Sequence, residues 1–137
     1  MKPRALLFTV LALAAVGCDD AATTATSPTV TSPVTETFAG QFIPGGTAAR
    51  AFTAASAGTV SITLTQAGPP ADAVVGLGVG IPQSSGTGCF LTQAVQTAAS
   101  ASPQLTVSVD AGTYCVRLHD TGTLTAPISF SVTIVRP

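Results

Sequence analysis

Few residues in this chain are equipped for chemistry. His119 is the single histidine, with Asp120 beside it and Asp110 nine positions before it. An imidazole with a carboxylate partner is a general acid–base pair, and with a second carboxylate it begins a metal site. Asp72, Asp110 and Asp120 stand among turn-forming residues. Carboxylates there bind calcium or, more often, accept hydrogen bonds from their own backbone. The sequence has no Gly-x-Ser-x-Gly elbow, no His/Cys cluster at metal spacing and no dense Asp/Asn loop. A seryl nucleophile, a zinc centre and a calcium loop each need one of these. No catalytic residue, metal ligand or cofactor is therefore assigned.

The elements that hold these residues argue further against a catalytic pair. Tyr114, Val116 and Leu118 alternate with Cys115, Arg117 and His119. Period-two alternation marks a strand, on which neighbouring side chains point to opposite faces. His119 and Asp120 therefore diverge, and His119 is expected to be a solvated histidine at a strand end. Arg117 and His119 share the face of Cys115, as a small basic patch or as part of an ordinary outer sheet face; the second is preferred.

The same alternation runs through Thr37–Phe42, Ala49–Ala54, Thr59–Gln66, Val75–Ile81, Leu105–Val109 and Ile128–Ile134. The inward sets include Phe38 and Phe42; Val60, Ile62 and Leu64; and Val75, Leu77, Val79 and Ile81. Gly76, Gly78 and Gly80 alternate with the last set and strip one face of side chains, which marks a place of close approach. Phe90–Ala101 fits either a helical face or a weak strand through Leu91, Gln93, Val95 and Thr97; a strand is favoured because its neighbours are strands. About eight strands bounded by Gly and Pro turns predict an all-β fold, an antiparallel β-sandwich of jelly-roll type over residues 35–137.

The N-terminus carries an address. Lys2 and Arg4 precede an apolar run, Ala5–Val16, broken only by Thr9. This is the pattern of a secretory signal peptide, and it is shorter than the roughly 20 residues that span a bilayer. The run closes on Ala15-Val16-Gly17-Cys18, which resembles the bacterial lipobox. The resemblance implies cleavage before Cys18, a diacylglycerol on its thiol and an acyl chain, such as palmitate, on the new amine. Two or more chains hold a protein stably at a membrane. Residues 1–17 are then a lipoprotein signal peptide, and 18–34, rich in Ala, Thr, Ser and Pro, are the lipidated cysteine and a flexible tether. With Cys18 lipidated in an oxidising compartment, Cys89 and Cys115 remain to form a disulfide; the alternative is two separate buried thiols.

Loss of residues 1–17 leaves three arginines, no lysine and six acids, a net charge of −3. Phosphate recognition needs clustered Lys and Arg, so no nucleic-acid partner is expected. Charged residues are 8% of the chain against about 25% in ordinary soluble domains. Sheet edges are normally guarded by charge, so an unguarded edge here predicts cover by a partner strand or by a second copy.

Asp110–Asp120, reading Asp-Ala-Gly-Thr-Tyr-Cys-Val-Arg-Leu-His-Asp, followed by Ile128-Ser-Phe-Ser-Val-Thr-Ile134, is similar to the closing strands of bacterial pre-peptidase C-terminal-like domains. The resemblance implies a β-sandwich that accompanies secreted hydrolases as a targeting or binding accessory; it carries over no catalytic residue, and no peptidase is attached here. The reading of the whole chain is a lipid-anchored, non-enzymatic cell-envelope protein with a binding or structural sandwich. Its partner is the membrane through Cys18, with an envelope protein or a glycan as ligand. A carbohydrate-binding module is the first alternative, weakened by the absence of Trp and an inward Tyr114. A hydrolase with an unrecognised site is the second.

Overall fold

The computed structural model describes residues 31–84 and 88–137. The expected signal peptide, Cys18, the tether up to residue 30 and the loop tip 85–87 lie outside the described residues. Eight strands form: β1 (Val34–Phe42), β2 (Thr47–Ala54), β3 (Gly58–Gly68), β4 (Val75–Pro82), β5 (Cys89–Thr97), β6 (Leu105–Val109), β7 (Gly112–His119) and β8 (Ile128–Arg136). They make two antiparallel sheets, ordered β1-β8-β3-β6 and β2-β7-β4-β5.

The pairing has a simple rule. β1 lies against β8, β2 against β7, β3 against β6 and β4 against β5. The chain is thus one long antiparallel ribbon whose closed tip is the β4–β5 hairpin. Rolling the ribbon brings β3 against β8 and β4 against β7 and completes both sheets. This is the expected jelly roll. Strand directions alternate, so the start of β1, the β4–β5 hairpin, the β6–β7 turn and the C-terminus gather at one end of the sandwich.

Val60, Ile62 and Leu64 of β3 are buried with Val75, Leu77 and Val79 of β4, Val116 and Leu118 of β7, and Ile128, Phe130, Val132 and Ile134 of β8. Each such side chain contributes about 1.5–3 kcal/mol of transfer free energy. Phe38 and Phe42 flank Phe130 with ring centroids 5.0 and 5.8 Å away, and Phe52 stacks on the half-buried Tyr114 at 5.9 Å. On the β6 side of β3, where the pairing ends at Ile62–Leu105, the Gln104 carboxamide continues the ladder by one step. Its Oε1 accepts from Leu64 N–H at 2.8 Å, and its Nε2 donates to Leu64 O at 3.2 Å.

Two expectations change. Ile81 has the inward parity of β4 but runs past the end of the core and is 55% exposed. The stretch from Phe90 is a strand as far as Thr97, but it does not alternate cleanly. A bulge where Val79 and Gly80 meet β5 changes its parity, so Val95 packs against the core while Leu91 turns to the outer face.

Candidate functional site

The outer face of the β2-β7-β4-β5 sheet brings together His119, Arg117 and the two cysteines. Gly76, Gly78 and Gly80 pair across β4–β7 with His119, Arg117 and Cys115. Each glycine makes room for something specific. A methyl group on Gly76 would overlap the His119 imidazole, and one on Gly78 would sit 2.5 Å from Leu91 Cδ1. One on Gly80 would overlap the carbonyl of Phe90. The close approach expected from these glycines is therefore made by the protein's own side chains and by the backbone of β5.

The first residues of β5 climb over β4, and a disulfide between Cys89 and Cys115 ties them to β7. Strands on either side of a third lie about 9.6 Å apart in a flat sheet. The two cysteine Cα atoms are 5.8 Å apart. The gap closes because Gly80 lets the chain pass over it. Both cysteines are buried, so the pair forms the floor of the outer face.

His119 is not the solvated residue expected from its place at a strand end. It is half-buried over Gly76, and its Nδ1 is buried without a hydrogen-bond partner among the described residues. Burial, and next the Arg117 charge, hold its pKa below the ordinary histidine value, against a smaller opposing pull from Asp120. Asp120 is occupied elsewhere. Its Oδ1 accepts from the backbone N–H groups of Gly122, Thr123 and Leu124, and its Oδ2 accepts from Gly45 N–H at 2.8 Å. These bonds, that from Gly45 foremost, hold its carboxyl below the usual aspartate range. The turn-forming role holds for Asp120, which ties the β7–β8 loop to the β1–β2 turn. An imidazole with no engaged partner and a carboxylate committed to four amides do not make an acid–base pair. Asp110 gives its backbone carbonyl to the Tyr114 hydroxyl, and Asp72 lines a shallow recess at the opposite end of the sandwich. Among the described residues, no group of three or more His, Cys, Asp and Glu is placed to hold a metal ion.

Two features of this region escaped the sequence reading. At the tip of the ribbon Ile81 and Phe90 face each other across the ladder, 55% and 70% exposed. With Pro82, Gln83, Ser84 and Thr92 they border an open hollow of about 460 Å³. Beside it, on the outer face, Arg117 lines two adjoining recesses of about 350 and 220 Å³, each shared with Gln83 and Cys89. β5 itself is a sheet edge, nine residues long and without a charge.

No family model matches the chain, and no curated protein matches it. Among solved structures it is similar to PliG of Aeromonas hydrophila, a periplasmic lysozyme inhibitor of g-type lysozyme. The TM-score is 0.53 at 11% sequence identity, over 74% of this chain and 86% of that one. At that identity the likeness concerns the fold.

Proposed function

We propose that this chain is a lipid-anchored, non-enzymatic protein of the bacterial cell envelope whose jelly roll binds another protein through the tip of its ribbon. The observation that carries the reading is the Ile81–Phe90 pair. Two large apolar side chains stand side by side in solvent near the end of β4 and the start of β5, where the disulfide ties β5 to β7. Exposed aromatic anchors of this kind concentrate binding energy when a partner buries them. The neighbouring edge of β5 adds unpaired backbone groups and no charge, which suits pairing with a partner strand. A shared fold with a protein whose work is inhibition of another protein supports a protein ligand. The lipobox-like Ala15-Val16-Gly17-Cys18 supports the anchor, and the disulfide supports a compartment outside the cytoplasm.

A photo-reactive amino acid at position 90 tests the binding site in intact cells. The expected product is one protein species cross-linked from position 90 and absent when the probe sits at Thr106, on β6 of the other sheet. The purified partner is then expected to bind the Phe90→Ser variant at least about tenfold more weakly, which is 1.4 kcal/mol. Equal cross-linking from both positions, or unchanged affinity, refutes the site. Intact mass of the mature protein tests the anchor. Loss of residues 1–17 without added acyl mass refutes lipidation at Cys18.

A further inference from the structure

The three arginines of the sandwich differ in what they do. Arg136 pairs with Glu36 at 3.2 Å and donates to the carbonyl of Thr53. Arg50 lies over the Phe38 ring, 5.9 Å from its centroid. Among the described residues Arg117 has neither kind of partner. Its cross-strand neighbours are Ala49 on β2 and Gly78 on β4. Along its own strand the residues on the same face are Cys115 and His119. None of these is acidic. Its Nη1 makes one long bond, 3.4 Å, to the carbonyl of Cys89; its Nε, like that of Arg136, is buried with no partner among the described residues, so what sets Arg117 apart is the missing acid. The rest of its donor fork has no protein acceptor among the described residues. The guanidinium lines both recesses, whose other walls are Thr47, Ala49, Gly88, the disulfide and the base of the β5 ribbon. Those walls are neutral, and none of the four acids of the sandwich lines either recess: Glu36 pairs with Arg136, Asp120 is held by its amides, Asp72 lies at the far end, and Asp110 stands in the β6–β7 turn.

We infer that the Arg117 recess is a carboxylate-binding site. A planar monovalent carboxylate matches the guanidinium fork, whose Nη groups make only the long bond to Cys89 among the described residues. A phosphate dianion is the poorer fit, because one cation between neutral walls leaves its second charge without compensation. The carboxylate can belong to a free small acid or to an acidic side chain of a protein. The inference does not depend on the protein-partner reading, because a small acid alone tests it.

The test follows the Arg117 Nε–H resonance by NMR at neutral pH in the full mature chain, held in detergent. Two probes are titrated at constant ionic strength: sodium acetate, and a short peptide with blocked ends and one aspartate. A saturable shift of Nε–H with acetate, absent with matching chloride, is the expected result. Read from the backbone amides of Gly88 and Cys89 on the recess wall, which every variant keeps, the same acetate titration should weaken at least about tenfold in Arg117→Lys, which keeps the charge and loses the fork, and vanish in Arg117→Gln. Peptide binding about tenfold tighter than acetate assigns the source to a protein side chain; equal affinities assign it to a small acid. The absence of a saturable shift with either probe, while the backbone spectrum stays that of the folded protein, overturns the site. So does an acetate response that persists in Arg117→Gln. The wild-type titration needs no variant, so a variant that fails to fold leaves the decision intact.

Discussion

The glycines of β4 make the outer face, and their replacement by alanine separates packing from backbone freedom. None of Gly76, Gly78 and Gly80 has a positive φ, so an alanine at any of them meets no conformational strain. In an open position Gly→Ala stabilises by about 0.4–1 kcal/mol through the unfolded chain. Gly112 is the control, since a methyl group there would lie 3.7 Å from Tyr114, in ordinary contact. At Gly76 the methyl group displaces the His119 ring, and at Gly78 it presses on Leu91 at 2.5 Å and on the Gln93 carbonyl at 3.1 Å. Both obstacles are mainly flexible side chains, so the overpacking cost of about 1–3 kcal/mol is partly relieved and the net loss should be about 1–2 kcal/mol. At Gly80 the obstacle is the Phe90 backbone, which cannot turn aside. The base of β5 and the disulfide must move with it, and the loss should exceed about 3 kcal/mol.

Urea unfolding with the disulfide intact reads these differences as midpoint shifts at constant slope. The expected order of stability is Gly112→Ala, then wild type, then Gly76→Ala and Gly78→Ala together, then Gly80→Ala. The decisive comparison is a double-mutant cycle. In a His119→Ala background the space above Gly76 is empty, so Gly76→Ala should lose most of its penalty, a coupling of about 1 kcal/mol or more. If the penalty is the same in both backgrounds, His119 does not fill that space. If Gly80→Ala is as stable as Gly112→Ala, β5 does not pass over Gly80. Either result refutes this account of the face.

Three further outcomes are expected. Replacing both cysteines, Cys89→Ala with Cys115→Ala, frees a loop set by a sequence separation of 26. The loop-entropy relation gives a loss of about 3.5 kcal/mol and a thermal midpoint roughly 15 °C lower, and reduction of the wild type should reproduce it. For His119 the folded pKa lies below the ordinary value, so the unfolded chain takes up the proton first. Stability is then complete above about pH 6.5 and falls as pH drops through that value toward the folded pKa. His119→Gln should flatten this decline in a series of urea midpoints, and parallel curves for variant and wild type count against it. Asp120 behaves in the opposite sense. Its folded pKa is depressed, so its contribution is complete above about pH 3.9 and is lost as pH falls below that. Asp120→Asn should melt below wild type at neutral pH, with the gap closing in strong acid.

Much of this architecture was legible because period two has one simple meaning when each run is short and bounded by turn residues. Val60, Ile62 and Leu64 follow it and are fully buried, and Tyr114, Val116 and Leu118 define the inward face of β7. The pattern failed where the backbone departs from a flat ladder. A bulge adds a residue and reverses the parity beyond it, so Leu91 and Val95 lie on opposite faces although their spacing is even. Ile81 keeps the right parity but outruns the sheet that would cover it, and alternation carries no signal for where a layer ends. His119 looked solvated because the strand ends there. The feature that buries it is Gly76, forty-three positions away in the chain and adjacent only through the β4–β7 pairing. The glycine row announced a close approach, but its occupants depend on register, which a single strand does not reveal.

The roll also bears on the proposal that a partner binds at the ribbon tip. Every other connection crosses between the two sheets and is held at both ends by the core. The β4–β5 hairpin alone turns within one sheet, so its outer residues are free of the packing that constrains the rest. Such freedom ordinarily means mobility, and a mobile hairpin loses affinity to ordering on binding. Here the base of the hairpin is fixed three times: by the ladder to β4, by Gly80 bringing β5 across it, and by the disulfide to β7. Phe90 follows Cys89 directly, so the exposed ring projects from the tied residue's neighbour rather than from the loop's far point. Gln83 and Phe90 border both the apolar hollow and the Arg117 recess. On the proposed reading, a partner that buried the ring and also reached the guanidinium would have to offer that charge a carboxylate, because an unpaired cation sealed from water costs more than the ring returns.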